Sequence, residues 1–171
     1  RERQDGQYAA LFAAKAEDFE TSADIGIIFD EPSYCYNEPY KGARKFNKHY
    51  TPVIGDLKPD GEEFRCAVYV DECKDVRYWI RNVDRKPNAF WLQLAKGRFY
   101  PDFMALLMDG RILAVEYKGA QLAHDPTTKE KRMIGNLWAE ASGGQCLFAM
   151  PTAGDFDEIR RVIKVEQSNA R

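Results

Sequence analysis

The stretch FYPDFMALLMDGRILAVEYKG, Phe99 to Gly119, constrains the fold more than any other part of the sequence. Two apolar runs meet at Asp109-Gly110, a dipeptide that marks a hairpin turn. The first run carries Asp102 at its outer end, and the second carries Glu116 and Lys118 at its own. A charge in such a strand is costly unless it is paired or holds an ion. These three residues are therefore either one cluster or three separate surface groups. Strand parity puts Glu116 and Lys118 on one face. Asp102 joins them in only one of two registers. A two-residue loop would pair Met108 with Arg111 and set Asp102 across from Tyr117, on the opposite face. A three-residue loop, Met108-Asp109-Gly110 with a left-handed Gly110, pairs Leu107 with Arg111 and sets Asp102 across from Glu116. Glycine in the last loop position favours the second register. Cβ atoms opposed in this way lie roughly 4.5–5.5 Å apart. Two carboxylates at that separation repel unless a proton or a divalent cation stands between them.

The rest of the chain arranges itself around this hairpin. An Ala-rich helix is predicted over residues 8–20. Residues 24–58, rich in Pro, Gly, Tyr and Asn, read as extended segments and turns, with a short apolar run at Ile25 to Phe29. Pro59-Asp60-Gly61 is a turn. The helix from Glu62 to Cys73 places Glu63, Cys66, Ala67, Val70 and Cys73 on one stripe, apolar except for Glu63. Strands are predicted at Arg77 to Val83 and Phe90 to Leu94. Asp125-Pro126 starts a helix as N-cap and N1, with Ile134, Leu137, Trp138 and Ala141 as its apolar stripe. Ser142-Gly143-Gly144 ends it. A strand at Gln145 to Met150 and a helix from Phe156 to Val165 complete the order. The fold class expected is α/β, a central mixed sheet flanked by helices in the order α-β-β-β-α-β. Residues 1–57 would form an N-terminal helix and wrapping segment, and 58–171 the core with its C-terminal helix.

With 171 residues the chain can bury one proper core. No run approaches a membrane span. Four cysteines without a CxxC pair and only two histidines argue against a zinc site. The thiols read as reduced, so a cytoplasmic location is expected, and His49 and His124 read as surface loop residues. Beginning at Arg1, the sequence is expected to be a piece of a longer protein or a trimmed product. The net charge of −2 does not announce nucleic acid, yet charge is unevenly spread. Lys41 to His49 holds Lys41, Arg44, Lys45 and Lys48 without an acid, and Arg77 to Lys86 includes Arg77 and Arg81. Glu17 to Glu31 is acidic. Trp79 and Trp138 read as core, and the aromatic residues of 34–50 as packing.

Asp102, Glu116 and Lys118 suit phosphoryl chemistry. Mg²⁺ prefers oxygen ligands and takes one or two carboxylates beside waters and phosphate oxygens. A lysine beside it can orient water or stabilise developing charge. Glu63, inward on the preceding helix, can reach the same spot. Pro101-Asp102, thirteen intervening residues and Glu116-Tyr117-Lys118 resemble the PD-(D/E)xK signature of restriction-endonuclease-like nucleases. Gly61 to Asn82, the FYPDF and DGRILAVEYKG strands and the KEKRMIGNLW helix together resemble the C-terminal nuclease region of type III restriction enzyme Res subunits and related helicase-nucleases. FNKHYTPVIGDL, Phe46 to Leu57, extends the likeness upstream.

The resemblance implies a restriction-endonuclease-like core and Mg²⁺-dependent hydrolysis of DNA phosphodiester bonds, with Mn²⁺ as a substitute, leaving 5′-phosphate and 3′-hydroxyl ends. It implies Asp102, Glu116 and the Tyr117 backbone carbonyl as metal ligands, with Glu63 nearby, directly or through water. It implies Lys118 as the catalytic lysine and Lys131 as a basic residue on the second core helix. The basic runs would hold DNA through Lys41, Arg44, Lys45, Lys48, Arg77 and Arg81, with Lys131 beside them. An ATP-driven helicase or translocase is expected in the full-length chain or a partner subunit, since these residues contain no GxxxxGK[ST] phosphate loop. The rival expectations are a non-catalytic DNA-binding or docking module on the same fold, and a structure-specific repair or junction nuclease.

Overall fold

The computed structural model describes residues 31–169. The helix expected over 8–20 and the apolar run at Ile25 to Phe29 lie outside these residues. Helix α1 (Gly61–Glu72) begins with Glu62 and Glu63 in its first turn, where carboxylates complement the helix dipole. It buries Cys66, Ala67 and Val70, and Cys73 just beyond it is buried too. Strands β1 (Val76–Arg81), β2 (Leu92–Gln93), β3 (Arg98–Phe99), β4 (Phe103–Leu107) and β5 (Ile112–Val115) follow. Helix α2 (Pro126–Ala141) is capped by the Asp125 carboxylate, which accepts the Thr127 and Thr128 N–H groups, with Pro126 at N1. Strand β6 (Cys146–Ala149) and helix α3 (Asp157–Asn169) complete the order.

The fold is α/β. Its sheet has the order β1-β4-β5-β6, antiparallel in the first two pairs and parallel in the last. Leaving β2 and β3 aside, the described chain runs α-β-β-β-α-β and then α3. Helices cover both faces, so β4, β5 and β6 are buried at every residue. Phe103, Ala105, Leu107, Leu113 and Val115 pack with α1 and with Ile159 and Ile163 of α3. Met104, Leu106, Ile112 and Ala114 pack with Ile134 and Trp138 of α2. Gly135 brings α2 tightly onto β6: a Cβ there would lie 2.4 Å from the Phe148 ring.

The hairpin turns through three residues. The Leu107 N–H donates to the Arg111 carbonyl at 2.9 Å, the Gly110 N–H to the Leu107 carbonyl at 3.0 Å, and Gly110 has φ 88°. The ladder runs from Leu106 opposite Ile112 to Phe103 opposite Val115. One further step sets Asp102 against Glu116.

Several expectations are corrected. The strand at Phe90 to Leu94 shrinks to β2, which pairs with β3 in a separate two-stranded ribbon. The Asn82 amide both accepts the Phe90 N–H and donates to its carbonyl, each at 2.8 Å, so Phe90 is satisfied without a ladder. Ala141 is exposed, while Thr128 and Gly135 join the buried face of α2. Helix α3 runs past Val165 to Asn169, since no Gly or Pro stops it.

His49 is not a surface loop residue. It bridges Trp79 at the outer edge of β1, its ring 4.6 Å from the indole, and burial lowers its pKa to about 4. The segment around it is pinned by Asp71, which is only 3% exposed. That carboxylate accepts the Asn47 and Lys48 N–H groups and the Trp79 indole N–H at 2.8–3.1 Å. Ile54 and Leu57, further along the wrapping segment, enter the core beside α1. The cysteines are free thiols, Cys35 exposed and the other three buried. Among the described residues no helix is long and apolar enough to cross a membrane.

Candidate functional site

Strand β4 begins at Phe103, and β5 ends at Val115. Asp102 and Glu116 therefore stand just past the ladder, at the end of the sheet where Arg81 closes β1. Their positions continue the face of Met104 and Ala114, the face that α2 covers. The Asp102 Oδ2 accepts the Tyr117 N–H at 2.8 Å, which anchors that carboxylate to the outgoing strand. The Tyr117 side chain turns to the other face, where its hydroxyl donates to Glu62 at 2.7 Å. An extended residue sends its N–H and C=O to the same strand edge, so the Tyr117 carbonyl lies on the Asp102 side.

Glu116 is the most enclosed member, with its side chain 3% exposed. Its Oε1 is met by Lys118 Nζ at 2.8 Å and by Lys131 Nζ at 3.1 Å. Its Oε2 is buried without a hydrogen-bond partner. Burial first, and the Asp102 charge second, push the Glu116 pKa up to about 7 against the pull of both lysines. Lys118 is held above the ordinary lysine value: burial opposes its charge, but Glu116 and Asp102 outweigh burial. Lys131 also lies over the Phe99 ring, 4.8 Å from its centroid.

Glu63 comes to the same end of the sheet from α1, though 40% of its side chain remains exposed. Its carboxylate is paired with the Arg81 guanidinium, whose other nitrogen stands 3.3 Å from Asp102 Oδ1. Burial and the Asp102 charge raise the Glu63 pKa, and Arg81 works against them. Glu63, Asp102, Glu116, Lys118, Lys131 and Arg81 thus form one array of three carboxylates and three cations.

Arg81 in this array was not anticipated from the sequence, which placed it among the DNA-holding residues of the basic run at 77–86. It was legible in parity: Arg81 is two residues from the buried Trp79 and shares its face, and a charge there needs partners. Lys131 carried a similar signal. It sits at i relative to Ile134, Gly135 and Trp138, the buried stripe of α2.

The remaining basic residues divide. Lys45 and Arg77 are exposed, with Arg77 over the Tyr78 ring. Lys41 is exposed and 3.5 Å from Glu38, and Arg44 is 2.7 Å from Glu72. Lys48 is not a free surface charge: its ammonium donates to the Cys73 carbonyl at 2.7 Å, just past the C-terminus of α1. The two runs lie side by side, because the Trp79 N–H donates to the Lys48 carbonyl and the Tyr50 N–H to the Trp79 carbonyl.

The oxygen-only donor set suits Mg²⁺ rather than a soft metal, and the unpartnered Glu116 Oε2 is a ligand atom to spare. Among the described residues, however, no group of three or more His, Cys, Asp or Glu side chains is gathered closely enough to hold a metal ion. Each carboxylate is engaged with a cation instead. The residues fit the ion in kind, and their present pairing must change for it to bind.

No family model matches the chain, and neither a curated protein nor a solved structure is significantly similar to it.

Proposed function

We propose that this chain is a metal-dependent endodeoxyribonuclease domain with a restriction-endonuclease-like core, working on DNA beside an ATP-driven motor in the same polypeptide or in a partner. The observation that carries the reading is the hairpin register. It puts Asp102 across from Glu116, with Lys118 on the same face, at an end of the sheet that Glu63 and Lys131 reach from two helices. Buried charges are expensive, and even a well-paired buried ion network adds little net stability over apolar packing.

In this reading Asp102, Glu116 and the Tyr117 carbonyl would hold Mg²⁺, with Glu63 beside them. When bound, the ion supplies charge neutralisation at the phosphate and a lowered pKa for the attacking water. Lys118, released from Glu116, orients that water and stabilises the charge that develops on the phosphoryl oxygens. Lys131 holds a flanking phosphate and pulls the Glu116 pKa down against burial. The attacking water gives up a proton to solvent and attacks phosphorus in line with the P–O3′ bond, which breaks, and the 3′-oxygen takes up a proton from solvent, leaving a 3′-hydroxyl and a 5′-phosphate.

The test is incubation of plasmid and short single-stranded DNA with Mg²⁺, Mn²⁺ or EDTA, beside Asp102→Ala. Cleavage is expected only with the metals and only in the parent. Cleavage that survives both EDTA and Asp102→Ala excludes the reading. The complete pairing of carboxylates with cations favours one rival, a non-catalytic DNA-binding module whose array is a self-contained ion network. That rival predicts DNA binding with no affinity for divalent ions.

A further inference from the structure

We infer that Arg81 is the resident cation of this site, and that a divalent metal enters by taking the Glu63 and Asp102 carboxylates over from its guanidinium. The identity of the incoming ion rests on the nuclease reading above. The displacement itself rests on the contacts of Arg81. Arg81 is paired across the sheet with Phe103, and its guanidinium lies 5.3 Å from the centroid of that ring. It is 12% exposed and bridges Glu63 and Asp102. One rigid cation between two carboxylates from different elements does what a divalent ion at that place would do.

The charge count explains why both cannot stay. With every group ionised, Glu63, Asp102 and Glu116 carry three negative charges against the three positive ones of Arg81, Lys118 and Lys131. A neutral pocket offers Mg²⁺ no net attraction, and an ion arriving with Arg81 in place meets a like charge. Once the guanidinium lets go, two carboxylates are left without a counter-charge in a partly desolvated site, where an ion is held far more strongly than in water.

Two features bear on whether the guanidinium can let go of the carboxylates. The Arg81 Nε and the Glu116 Oε2 are buried without hydrogen-bond partners, as are the Arg44 Nε and the Arg111 Nη1 away from the site, so the array is not locked by a full set of hydrogen bonds. Asp71 shows the locked pattern in this same protein, with three donors on one carboxylate. Arg81 also has an anchor independent of the carboxylates. Its Nη1 donates to the Asp102 backbone carbonyl at 2.8 Å, so it can release both side chains without leaving the cleft.

The experiment is calorimetric titration of Mg²⁺ and Mn²⁺ into metal-free parent and Arg81→Gln, with melting curves in EDTA and in saturating metal. Arg81→Gln is expected to bind the ion about tenfold or more tightly than the parent, since a competing charge is removed. It is also expected to melt lower in EDTA and to recover with metal. Unchanged or weaker affinity overturns the inference, because a guanidinium that positions ligands would give weaker binding and one that only meets phosphate would give none of the change. Should Arg81→Gln fail to fold, Arg81→Lys serves: it keeps the charge but loses the two-pronged grip. Tighter binding than the parent supports displacement, and equal or weaker binding overturns it. If the parent binds neither ion, the nuclease reading falls together with this one. If the parent binds and the variants bind no tighter, only this inference falls.

Discussion

Lys118 reaches Glu116 Oε1 at 2.8 Å from two residues away on the same strand face, with 18% of its side chain exposed. In the proposed nuclease reading its role is on the reaction rather than on the ion, because an ammonium donates and cannot ligate a cation. Lys118→Ala is therefore expected to keep its fold and its metal affinity while single-turnover cleavage falls on the order of 10²–10³. A folded, metal-bound variant that cuts at the parent rate would return Lys118 to a strand-end charge.

Glu116 makes a pH prediction of definite sign. Its pKa is raised from an ordinary 4.5 to about 7, so across that interval the folded metal-free protein holds a proton that the unfolded chain has released. The contribution to stability is complete below the unfolded value and is lost as pH rises through the folded one. In EDTA, the melting temperature of the parent relative to Glu116→Gln is expected to fall as pH rises from about 4.5 to 7. A difference independent of pH between the two proteins would show that burial does not shift this group.

At the scale of elements, the site depends on how strands are trimmed and braced. The Gly110 turn sets the register that brings Asp102 to Glu116, and the extension of β5 past Val115 is carried by β6: the Glu116 N–H donates to Ala149 and the Lys118 N–H to Pro151. The basic segment at β1 is braced most densely by one carboxylate, that of Asp71. Buried donors left without an acceptor cost about 1–3 kcal/mol. Asp71→Ala is expected to lose at least that much in urea unfolding and to speed amide exchange at Asn47 and Lys48. Unchanged exchange at those two amides would mean that the Trp79 bridge alone holds the segment.

For the whole molecule, a net charge of −2 conceals a basic margin. The runs at 41–48 and 77–86 meet along β1, and Arg81 joins that margin to the carboxylates. Lys45 and Arg77 are its most available charges, both exposed. Phosphate contacts release counterions, so each contributes to the steepness with which binding falls with salt. Lys45→Glu with Arg77→Glu is expected to weaken DNA affinity and to lower the logarithmic salt slope by about two, without changing the melting temperature. An unaltered slope would place the DNA on another face.

What the sequence determined by itself are the features set within a few residues. The hairpin register follows from strand parity and one left-handed glycine. The start of α2 follows from an Asp-Pro cap, and the inward stripe of α1 from a 3.6-residue period. Each is decided by backbone sterics or nearby hydrogen bonds, so adjacent residues suffice to read it. Tertiary structure alone decided the pairings. Arg81 meets Glu63 only because α1 leans across the end of β1, and Lys131 meets Glu116 only because Gly135 lets α2 lie close on β6. The Phe90 strand was lost to a side chain eight residues away, and His49 was drawn inward by a bridge to Trp79. The energy of a buried charge depends on its distance to opposite charge and on the water excluded around it, and both are set by how helices and sheet are placed, which no local pattern encodes.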